Sequence, residues 1–121
     1  MWLVTFKTIP NQNKNAKAAE EFGGAYVNCW IDFALEDGAV ELAKFYIKQN
    51  DWIPLRLEGD NVWYNEEDCE TTEDRQYFAE AKDYGATLVW YTYPLEATED
   101  DEDFELENST TTNPKIKTTE H

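Results

Sequence analysis

The amino-acid sequence predicts an α+β fold, and three observations carry the prediction. Short stretches with apolar residues at alternate positions recur through the first 95 residues. Two other stretches repeat apolar residues at the three-and-four spacing of an amphipathic helix, and the two patterns interleave along the chain. With 121 residues, 41% of them hydrophobic and five of them Trp, the chain suits one core and is too rich in core material to be wholly disordered.

Trp2, Val4 and Phe6 alternate with Leu3, Thr5 and Lys7, the spacing of a half-buried strand, which Pro10 ends. Residues 11–22 are polar and predict a loop with a helical turn over Ala16 to Glu21. After Gly23 and Gly24 comes the clearest strand, with Val27, Cys29, Ile31 and Phe33 on one face and Tyr26, Asn28, Trp30 and Asp32 on the other. Glu36 and Asp37 supply the negative charge that favours a helix N-terminus. Ala39, Leu42, Ala43, Tyr46 and Ile47 then form its apolar stripe. A hairpin is predicted over 52–64, with Ile53, Leu55 and Leu57 toward the core, Pro54 marking an edge or bulge, and Gly59-Asp60 at the turn. Thr71-x-x-Asp74 has capping-box spacing and opens a second helix carrying Tyr77, Phe78, Ala81 and Tyr84, which Gly85 ends. Residues 86–93, β-branched and aromatic, give a last strand closed by Pro94.

From residue 25 the order is βαββαβ, the ferredoxin-like pattern of an antiparallel sheet with two helices on one face, here with an additional N-terminal strand. The rival is another α+β order in which 61–64 is only a loop. The domain is expected to span 1–95.

Charge divides the chain. Residues 1–95 hold 17 acids and 8 bases, a net of −9, and residues 96–121 hold 9 acids and 2 bases, a net of −7, which accounts for the formal −16. Residues 96–107 read EATEDDEDFELE and the rest is Thr-rich, so 96–121 is expected to be an acidic, then Thr-rich, disordered tail whose removal leaves the melting temperature nearly unchanged. Such acidity disfavours direct binding to nucleic acid or an anionic membrane. No basic segment followed by an apolar run opens the sequence, and no apolar run approaches the ~18 residues of a spanning helix. The expectation is a cytoplasmic protein that meets no membrane, with Cys29 and Cys69 as reduced thiols.

Motifs for catalysis are missing. The one His is His121, in the expected tail, which removes Ser-His and Cys-His dyads and His-containing metal sites. No phosphate-cradling glycine motif occurs. Neither a cofactor nor a metal site is expected, and no catalytic residue is assigned. Glu66, Glu67, Asp68 and Glu70 form the densest acidic cluster of the folded part, read as a solvated acidic surface before the second helix. If both helices cover one face, Tyr26, Trp30, Trp52 and Trp63 lie on the open one, an aromatic binding surface. The leading expectation is therefore a non-enzymatic acidic module, of inhibitor, immunity or charge-mimic type, that binds a basic protein. The alternative is a small-ligand-sensing or regulatory domain acting as a homodimer through the aromatic sheet face.

Overall fold

A computed structural model of the protein describes residues 1–95 and 109–114. The elements are β1 (Trp2–Pro10), α1 (Ala16–Glu21), β2 (Phe22–Ile31), α2 (Glu36–Gln49), β3 (Trp52–Leu57), β4 (Val62–Trp63), a 3₁₀ turn (Glu66–Asp68), α3 (Thr72–Tyr84), β5 (Ala86–Pro94) and β6 (Ser109–Thr112). The strands form one antiparallel sheet in the order β3-β1-β2-β5-β6, with β4 also paired to β1.

The α+β class and the antiparallel sheet agree with the sequence, but the strand order differs from the ferredoxin-like expectation. The N-terminal strand β1 sits inside the sheet against β2, the place that the 61–64 strand would take in that fold. The two long helices also part company. Ala39, Ala43 and Ile47 of α2 pack with Val4, Val27, Cys29, Ile31 and Leu88, whereas Phe78 and Ala81 of α3 pack with Trp30 and Val89. Neighbouring residues of a strand point to opposite faces, so α2 and α3 cover opposite faces of β2 and β5. The expected pair of helices on one face is corrected by this division.

Nor do residues 52–64 fold as a hairpin. β3 and β4 run in the same direction along β1, Phe6 opposite Leu57 and Leu3 opposite Val62, with the 58–61 loop bulging between them. The amide of Glu58 still donates to the Thr5 carbonyl at 2.8 Å, so β3 and β4 act as one interrupted edge. Trp52 pairs with Pro10 and thereby shares the side of Val4 and Phe6. The register shifts at Lys7/Thr8, and Ile53, Leu55 and Leu57, expected in the core, are exposed.

The helix ends follow their sequence signals. Thr71 Oγ1 accepts from the Asp74 amide at 3.0 Å, and Gly85, at φ 94°, takes the left-handed conformation while its amide donates to the Ala81 carbonyl. Most of the segment expected to be a disordered tail lies outside the described residues. Within it, however, Ser109–Thr112 pairs with Leu88–Tyr91 as β6, and Trp90 Nε1 donates to Thr112 Oγ1 at 3.0 Å.

Candidate functional site

The four aromatics expected on one open face do not share a surface. Trp30, 2% exposed, lies under α3 with Tyr64 and Tyr77 against its ring. Trp52, 8% exposed, is on the α2 side against Trp90 and Phe22. Tyr26 is half-buried beside Tyr93. Only Trp63 among them is open to solvent, at 44%. The physical reason is the second covering helix: with α3 on the Trp30 side, neither face of the central strands is left bare.

Trp63 meets the acidic cluster at the end of the sheet where β2 finishes. Cross-strand pairing with Trp2 sets its position, the two indoles meeting edge-to-face with centroids 5.4 Å apart. Trp2 is itself fixed by its Nε1 donating to the Ala34 carbonyl at 3.1 Å. Trp63 Nε1 donates to Asn65 Oδ1 at 3.2 Å, and the Asn65 amide donates to Asp68 Oδ2 at 2.8 Å, closing the capping box of the 3₁₀ turn. That turn holds Glu66 and Glu67 beside Trp63.

Across from them stand Asp32 and Phe33, which follow the last paired residue of β2. Phe33, expected in the core, is 42% exposed. Its ring lies so close to Gly38, in the first turn of α2, that a Cβ there would collide with it. Together these residues line a shallow depression of about 360 Å³ that carries three carboxylates, Asp32, Glu66 and Glu67, against two ammonium groups, that of Lys82 and the amino group of Met1, whose pKa burial lowers. Lys82 is engaged already, 3.6 Å from Asp32 Oδ1 and 5.9 Å from the centre of the Phe78 ring. The field is therefore negative. Burial pushes the Tyr64 hydroxyl up from its ordinary value, and the charges of Asp74, Cys69, Glu70 and Asp68 add to the rise.

The structure thus joins Trp63 to Glu66 and Glu67, assigns Asp68 to capping, and leaves Glu70 outside the depression. Sequence reasoning put Phe33 in the core and so missed it as a surface residue, and it placed Asp32 on the open face without assigning it to a site. The available signal was Gly38, a helical glycine five residues beyond Phe33 that a close aromatic contact explains. Comparisons with protein-family models, with curated proteins and with solved structures find no match. The assignment rests on geometry alone. Among the described residues no three Asp, Glu, His or Cys side chains converge as a metal group, and no helix is long and apolar enough to cross a membrane.

Proposed function

We propose that the protein is a non-enzymatic binding module whose acidic, aromatic end engages a basic segment of a partner protein. One observation carries this reading: Trp63 and Phe33, the exposed aromatics of the depression, share it with the carboxylates of Asp32, Glu66 and Glu67. An Arg guanidinium can stack on an indole face while its N–H groups bond carboxylates, and desolvation strengthens both contacts. The exposed side chains of Leu55, Leu57 and Val62 extend the surface along the β3–β4 edge, offering apolar contact to the same segment. A net charge of −16 steers a basic partner toward the molecule and repels nucleic acid.

The alternative of a homodimer through the sheet face finds no support in the placement of Tyr26, Trp30 and Trp52, since Trp30 and Trp52 are buried on opposite sides. The test is an affinity series, by interferometry, against Arg-rich and Lys-rich peptides and against an acidic control. Arg-rich peptides are expected to bind, more weakly as salt rises, and Trp63→Ala is expected to weaken them about tenfold or more. Equal binding of the acidic control, or indifference to Trp63→Ala, overturns the reading.

A further inference from the structure

We propose that a second, uncharged cleft, between the C-terminal end of α2 and the β5–β6 edge, binds a neutral polyhydroxylated ring, a mono- or disaccharide. The cleft consists of two adjoining hollows of about 390 and about 450 Å³ that share Asn50 and Thr112, a size that suits a small ligand. Its chemistry is the argument. In a chain whose residues are 30% charged, none of the described residues lining either hollow is Asp, Glu, Lys or Arg.

Among the described lining residues an anionic ligand finds no counter-charge and a cation finds no carboxylate, and an anion also meets the repulsion of the whole molecule. A hydrocarbon is excluded for the opposite reason. Gln49 and Asn50 on one side and Thr92, Thr110 and Thr112 on the other end in amides or hydroxyls. Asn50 Nδ2 already donates to the Tyr46 carbonyl and Thr112 Oγ1 accepts from Trp90, but an apolar ligand would strip water from the hydrogen-bonding capacity that remains. The ligand must therefore be neutral, bear hydrogen-bonding groups on two sides, and turn an apolar face to Phe22, Trp52 and Trp90. A flat base inserted between aromatic rings does not fit, because those rings already pack on one another, Trp52 with its centroid 5.3 Å from Trp90 and 6.5 Å from Phe22. A sugar ring, with hydroxyls around its rim and C–H groups on its face, meets all three conditions.

The pairing of β6 places the hydroxyls. Thr110 stands opposite Trp90 and Thr112 opposite Leu88, so both share the α2 side of β5, whereas Thr111, opposite Val89, points to the other face. Trp90 Nε1 donating to Thr112 Oγ1 leaves the Thr112 hydroxyl hydrogen as a donor for a ligand.

The test is an NMR titration of the ¹⁵N-labelled full chain with glucose, galactose, N-acetylglucosamine, maltose and cellobiose, with adenosine as the flat-ring control. At least one sugar is expected to give saturable shifts at the Trp90 indole N–H, the Asn50 side-chain amide and the Thr110 and Thr112 amides. Thr110→Val, which keeps shape and strand propensity, should weaken that sugar about fivefold, the effect of one lost hydrogen bond. Thr111→Val should not change its affinity. The proposal is overturned if no sugar gives a saturable shift up to about 20 mM, if adenosine alone does, or if Thr111→Val weakens binding as much as Thr110→Val.

Discussion

The two ends of β2 open onto surfaces of opposite chemistry. Beyond Ile31, at its end, Asp32 and Phe33 join Trp63, Glu66 and Glu67 in a depression of carboxylates and exposed rings. At its start, Phe22 lines a cleft of amides, threonine hydroxyls and buried rings with no formal charge among the described lining residues. The formal charge of −16 is an average over surfaces that differ this much, and it describes neither. What separates them is packing. The neutral cleft lies where β6 lays a row of threonines beside Trp90, and the charged depression lies where β2 ends and the chain turns out to solvent.

The comparison depends on a sheet covered on both faces, and the largest expected effects test that. Leu88 faces α2 and Val89 faces α3, each buried. Leu88→Asp and Val89→Asp should both abolish folding, since either places an unpaired carboxylate in a core. A sheet with one open face would tolerate Val89→Asp. Normal near-ultraviolet circular dichroism and a cooperative melt for that variant would remove α3 from the Trp30 side and with it the account of why Trp30 is buried.

This two-sided burial was partly legible in the sequence. Alternation is clean in Trp2-Val4-Phe6, but residues 86–90 read Ala-Thr-Leu-Val-Trp with scarcely a polar position, and all five are buried. A run that loses its alternation marks a strand packed on both sides. The helices were legible because caps and stripes are local: Thr71, Asp74, Gly85 and the Ala39–Ile47 stripe are all where their signals put them. Strand order was not, because it depends on which edges meet. No residue of β1 announces that it will lie between β2 and β3. Without that partner the parity of β3 is read wrongly, with Ile53 in and Trp52 out. The acidic residues of the candidate site were legible as a cluster, whereas their meeting with Trp63 and Phe33 required the course of the 58–61 loop and the end of β2.

A smaller effect is expected from removing residues 96–121. A disordered tail predicts almost no change in melting temperature, but β6 pairs with Leu88–Tyr91, and Asn113 Nδ2 donates to the Ala86 carbonyl at 3.1 Å and to Thr87 Oγ1 at 2.9 Å. Loss of this strand should cost roughly 2 kcal/mol and lower the melting temperature by about 10 °C. The sugar-dependent shifts at the cleft should vanish, and peptide binding at the acidic end should persist. An unchanged melting temperature would show that β6 adds nothing to the fold.

At the acidic end, Glu66→Gln with Glu67→Gln should change stability by less than about 0.5 kcal/mol, since both side chains are exposed. The double variant should both slow association with an Arg-rich peptide at low salt and speed its dissociation several-fold, because these carboxylates bond the guanidinium directly as well as steering it. A change confined to association would instead make them rim charges that steer the partner without touching it.

A pH-dependent effect separates the two sides of the sheet by their titration. Cys29 and Cys69 are both free and buried, and both thiols are pushed above their ordinary value of 9.0. For Cys29, in the α2-side core, burial alone does this. For Cys69 burial is the larger cause, and the charges of Asp74, Asp68 and Glu66 add to it against the opposing effect of Arg75. The unfolded chain gives up its thiol protons near pH 9 while the folded chain keeps them. Stability contributed by the protonated thiols is therefore complete below that value and declines as pH rises above it, by up to roughly 1.4 kcal/mol per pH unit for each thiol. Urea titrations between about pH 8 and 10 should show this fall, and Cys29→Ala should remove more of the slope than Cys69→Ala. Added salt should reduce the Cys69 share, because exposed carboxylates are screened, and leave the Cys29 share intact. If salt instead flattened the slope of Cys69→Ala, where Cys29 is the remaining thiol, the core around Cys29 would have to feel charges that the geometry keeps on the other face of the sheet.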